Sequence, residues 1–60
     1  MITVHHFTVW DPVGERMITL PLKSPTERIR RIGGTIVPDT AENVNESDLD
    51  LHGRYNPRRG

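Results

Sequence analysis

The chain opens with ITVHHFTVW at positions 2–10, where β-branched and aromatic side chains predominate and neither glycine nor proline interrupts. That composition predicts a strand. Asp11-Pro12-Val13-Gly14 follows. Aspartate suits the first position of a turn, proline presets φ at the second, and glycine accepts a positive φ at the fourth. These four residues predict a type I turn closed by a glycine bulge. Residues 15–22, ERMITLPL, predict the return strand. Proline has no N–H for a ladder, so Pro21 puts this strand at a sheet edge or ends it.

A turn of this kind makes Asp11 flank Glu15. Trp10 then faces Arg16, Val9 faces Met17 and Phe7 faces Thr19. Because side chains alternate across a strand, one face collects Ile2, Val4, His6, Thr8, Trp10, Ile18, Leu20 and Leu22. This is the expected core face. The opposite face gathers Phe7, Val9 and Met17 among threonines and His5.

Ser24-Pro25-Thr26-Glu27 has the grammar of a helix start: a capping hydroxyl, proline at the first helical position, and glutamate three residues after the cap. The helix is expected over residues 25–32, stopping at Gly33-Gly34, where a positive φ is needed. Pro25, Ile29 and Ile32 fall on one narrow stripe, and Glu27 and Arg31 have the i,i+4 spacing of an ion pair. Two turns do not persist alone, so the stripe must pack on the sheet. Residues 35–37, Thr-Ile-Val, predict a short third strand stopped by Pro38. It is expected beside the first strand and antiparallel to it, in the order return, opening, third, with Trp10 held between sheet and helix. The fold class is α+β, a small ββαβ unit over residues 1–38 with an N-terminal antiparallel hairpin.

The character changes after Pro38. Asp39, Glu42, Glu46, Asp48 and Asp50 follow one another without a lysine or arginine between them. Val44, Leu49, Leu51 and Tyr55 are too few for a second core, so residues 39–55 read as an acidic C-terminal arm that packs on the unit. Residues 56–60 have nothing to bury and are expected to be a disordered tail.

Size and charge narrow the functional classes. The chain has 60 residues, eight Lys+Arg against eight Asp+Glu, and no cysteine. A domain this small buries only about 60% of the surface its unfolded chain exposes. Small natural chains commonly add a disulfide, a metal or a partner, and the first is excluded here. No apolar stretch approaches the roughly 18 residues of a membrane span, and the N-terminus lacks the pattern of a signal peptide. A cytoplasmic chain is expected.

Candidate chemistry is sparse. His5 and His6 are adjacent in a strand and point to opposite faces, so they cannot chelate one ion together. His52 lies far along the chain. Residues 48–53 imitate the start of a calcium loop, but His52 and Arg59 stand where its fifth and twelfth ligands belong. Ser24 and Ser47 occupy capping contexts rather than a nucleophile elbow. Gly33-Gly34 precedes a strand and lacks the following Lys-Ser/Thr of a phosphate loop. The chain is therefore expected to be non-catalytic, with no cofactor and no metal.

Two surfaces remain. Phe7, Val9 and Met17 form a partly apolar face that a single helix does not cover, unless Leu49, Leu51 and Tyr55 of the arm do so. An apolar patch rimmed by polar groups marks an interaction site, and the free sheet edge adds a route by strand addition. These residues predict a protein-interaction or regulatory module that binds another protein or itself, the latter as a homodimer. Arg28, Arg30 and Arg31 are the alternative, a nucleic-acid contact supplemented by Arg58 and Arg59. The acidic arm in the same small chain opposes it by repelling phosphates. A further alternative makes the arm itself an acidic decoy for a nucleic-acid-binding protein.

Overall fold

The computed structural model describes residues 1–56, so of the tail expected over residues 56–60 only Asn56, which is partly buried, is described, and residues 57–60 lie outside the described residues. The elements run β1 (Ile2–His5), β2 (Phe7–Asp11), β3 (Arg16–Thr19), β4 (Ser24–Pro25), α1 (Thr26–Arg31), β5 (Thr35–Ile36) and β6 (Glu42–Val44), then a 3-10 turn at Glu46–Asp48. They form a small α+β fold with two three-stranded antiparallel sheets, ordered β4-β1-β6 and β3-β2-β5. The second sheet has the expected order, with the third strand beside the opening one. The first sheet uses Glu42–Val44, which lies in the arm.

The opening segment is not one strand but two, joined at His6. In an unbroken strand Val4 and Phe7 would point to opposite faces, yet both are fully buried. The break at His6 slips the alternation by one residue and turns both side chains inward. His6 then finds its backbone partners outside the ladders. Its N–H donates to Thr40 Oγ1 at 3.0 Å and its carbonyl accepts from Val37 N at 2.9 Å. Thr40 Oγ1 in turn donates to the Val37 carbonyl at 2.7 Å. The turn after β5 thereby holds the seam between the sheets.

The hairpin register is offset by one position from the expected one. Asp11 faces Arg16, Trp10 faces Met17, Val9 faces Ile18 and Thr8 faces Thr19. The loop has four residues rather than three. Its left-handed residue is Glu15, at φ 51°, and not Gly14, while Asp11 Oδ1 accepts from Val13 N at 3.1 Å within the loop. The offset places Phe7, Val9, Ile18 and Leu20 on one side, and that shared burial decides the register. Phe7 is therefore core, and Trp10 stands outside rather than between sheet and helix, at 58% exposure.

Helix α1 spans Thr26–Arg31, close to the expected bounds. Its N-cap is Pro25, without a side-chain bond, because Ser24 belongs to β4 and turns its hydroxyl inward. The C-terminus closes as expected: Gly33 takes φ 76°, Gly33 N donates to Arg30 O, and Gly34 N donates to Ile29 O at 2.8 Å. These are the paired bonds of a Schellman motif. Ile29 is buried, whereas Ile32, expected on the same stripe, lies past the helix end and is 45% exposed. The Glu27–Arg31 ion pair is absent among the described residues. Gly34 sits where helix meets sheet, since a Cβ there would come within 2.7 Å of Phe7 and 3.1 Å of Ile29. Val4, Phe7, Ile29 and Val44 form the buried apolar core. One comes from each of β1, β2, α1 and β6.

Candidate interaction surface

The outer face of the second sheet follows from the register. Thr8 pairs with Thr19 on one side and Thr35 on the other, and Trp10 pairs with Met17 one step further along. Trp10 and Met17 are 58% and 52% exposed. The Thr8 hydroxyl donates to the Thr35 carbonyl at 3.5 Å. At the hairpin tip Val13 is also exposed. Two adjacent large apolar groups thus stand in water beside a row of threonines.

This surface is not the one the sequence suggests. Of Phe7, Val9 and Met17, Phe7 is fully buried and Val9 lies with it on the helix side, half-buried. Only Met17 faces outward, and its neighbour there is Trp10. The missed signal is the phase of the apolar alternation. Phe7 and Val9 share a face with Ile18 and Leu20 only if the pairing follows the observed register. The arm does not cover the outward patch: Leu51 is exposed and Tyr55 bridges back to Lys23.

A second concavity lies at the seam. His6, Pro21, Lys23, Glu42 and Tyr55 line an open cleft of ≈ 280 Å³. Its polar groups are largely engaged with one another. Lys23 Nζ donates to Glu42 Oε1 at 3.0 Å. The Tyr55 phenol is raised above its ordinary value by desolvation first, and then by the Glu42 and Asp48 carboxylates. His6 Nδ1 is buried without a hydrogen-bond partner among the described residues. Backbone bonds hold the wall in place, with Tyr55 N donating to Lys23 O at 2.8 Å.

The charged residues singled out in the sequence are dispersed. Arg28 is built into the fold, donating from Nε to His52 O at 2.8 Å and from Nη1 to Ser24 Oγ at 3.1 Å. Arg30 and Arg31 are exposed. In the arm, Asp50 organises its own turn: Oδ1 accepts from His52 N and Arg54 N, and Oδ2 accepts from Arg54 Nε, each at 2.9 Å. The Arg54 backbone bond, before the His52 and guanidinium contributions, holds the Asp50 carboxyl below its usual value despite opposing desolvation. No three His, Asp or Glu side chains among the described residues come together as metal ligands. No helix among them is long and apolar enough to cross a membrane. Comparison of the chain with family models, with curated proteins and with solved structures finds no match.

Proposed function

We propose that the chain is a small cytoplasmic, non-catalytic interaction module whose contact surface is the outer face of the second sheet. The observation that carries this reading is the cross-strand pair Trp10 and Met17, each more than half exposed. Single exposed apolar residues are ordinary on any surface, but a contiguous patch around a tryptophan has the composition of an interface anchor. Burying such a pair releases about 25 cal/mol per Å² of apolar surface removed from water. The seam cleft supports the non-catalytic part, because Lys23 and Glu42 neutralise each other there. The arginine reading loses weight because Arg28 commits Nε and Nη1 to His52 O and Ser24 Oγ of its own chain. The decoy reading loses it because Glu42 and Asp50 are already paired.

Site-specific photo-crosslinking in the native host tests the proposal. A photoreactive side chain at position 10 of the full chain is expected to yield adducts to protein, and the same group at position 30 is not. Nucleic-acid adducts at position 30 with none to protein at position 10 would overturn it.

A further inference from the structure

We infer that a small cavity on the helix side of the second sheet binds a free monocarboxylate with a short apolar body, at a site independent of whatever the outer face contacts. Phe7, Leu20, Leu22 and Ser24 line this cavity together with Arg28 and Arg54, and its volume is ≈ 150 Å³. Phe7 and Ser24 are fully buried, and both leucines are half-buried. The chain itself holds the two guanidiniums. Arg28 donates from Nε to His52 O at 2.8 Å and from Nη1 to Ser24 Oγ at 3.1 Å, and both acceptors are uncharged. Arg54 donates from Nε to Asp50 Oδ2 at 2.9 Å. The Asp50 carboxylate thus answers Arg54, while among the described residues no carboxylate pairs with Arg28. Arg28 is half-buried, and a partly desolvated cation without a counter-ion carries a cost that an incoming anion relieves.

Charge, lining and size each restrict the ligand. Two guanidiniums against the single Asp50 carboxylate leave one positive charge, which one negative charge balances. The Nη groups of an arginine form a planar fork that matches the two oxygens of a carboxylate. Phe7, Leu20 and Leu22 offer side chains with no hydrogen-bonding group, so they suit an apolar body and serve an inorganic ion poorly. A cavity of about 150 Å³ holds a group the size of a benzene ring, which limits the body to one ring or a short branched chain. A peptide C-terminus presents the same carboxylate, but its neighbouring amide would lie against the leucines without a partner.

Benzoate is the probe. It is titrated into the full, isotope-labelled chain at low ionic strength and neutral pH, and the amide and arginine Nε–H resonances are followed. Saturable shifts are expected at Leu20, Leu22, Arg28 and Arg54, with a midpoint of about 1 mM, the scale for a ligand of about nine non-hydrogen atoms. Benzamide (the uncharged isostere), inorganic phosphate and acetyl-leucine (which stands for a peptide end) should each bind about tenfold more weakly. Arg28→Gln should weaken benzoate by a similar factor. Ser24→Ala releases Arg28 Nη1 without removing its charge and should weaken benzoate severalfold. It serves as the second variant if circular dichroism shows that Arg28→Gln does not fold. A titration that has not saturated by about 20 mM overturns the inference. So do equal affinities for benzoate and benzamide, shifts centred on the exposed Arg30 and Arg31, and tighter binding of acetyl-leucine. None of these results alters protein adducts at position 10, so this site and the outer-face reading fail separately.

Discussion

The two sheets treat their outward groups in opposite ways. The first is tied by polar contacts between segments far apart in sequence: Lys23 to Glu42 on its strand edges, and Thr40 to the His6 backbone at its end. The second is mostly a local hairpin, and it leaves a tryptophan and a methionine in water. A group that stabilises the chain by its own contacts has little left for a partner. A large apolar side chain in solvent has most of its burial energy still to give. The contrast places structural work at the seam and candidate binding on the hairpin.

The largest effect should separate the two faces of one strand. Phe7→Ala removes a fully buried ring beside Ile29 and Gly34 and should cost about 3–5 kcal/mol. That approaches the whole stability of a domain for which about 0.05–0.15 kcal/mol per residue is usual. Trp10→Thr, three positions along, should change stability by no more than about 1 kcal/mol, the scale of a cross-strand pair. Urea titration followed by circular dichroism checks both. Equal losses at the two positions would break the division between core and contact faces.

A smaller effect should appear at the seam. Thr40→Val keeps the shape but removes the acceptor of the His6 N–H. Leaving a partly buried donor unpaired should cost about 1–2 kcal/mol. Hydrogen exchange at the His6 amide should quicken while the hairpin amides are less affected. A loss shared evenly by both sheets would show that the seam is not a separate stabilising unit.

The smallest effect is local and set by pH. The Asp50 carboxyl is held below its ordinary value of 3.8 by the Arg54 and His52 contacts. A group depressed in the folded state contributes stability above its unfolded pKa, and that contribution is lost as pH falls through the folded one. The turn at residues 50–54 should therefore stay closed from neutrality into mild acid and open only below the ordinary aspartate range. The Arg54 amide resonance followed in an acid titration checks this, and Asp50→Asn should remove the transition. Opening near neutral pH would assign the turn to some other group.

Much of the fold can be read from local signals. The Gly33-Gly34 stop, the helix before it and the pairing of Thr35 and Ile36 beside the opening strand all depend on residues close in sequence or on simple topology. The candidate surface was less legible. Asp11-Pro12-Val13-Gly14 accommodates a three-residue or a four-residue loop, and the two differ only in whether Gly14 or Glu15 takes the left-handed conformation. That small local difference moves every side chain of one strand to the opposite face relative to the other. It therefore exchanges Phe7 for Trp10 as the outward aromatic.

The amino-acid order by itself determined the helix and its glycine stop, the presence of a hairpin, and a third strand beside the opening one, because each rests on the conformational preferences of a few neighbouring residues. Tertiary structure alone decided the hairpin register, the break at His6 and the recruitment of Glu42–Val44 into the first sheet. Those choices depend on burying Val4, Phe7, Ile29 and Val44 together. That burial energy belongs to the assembled core and is invisible in any short stretch of chain.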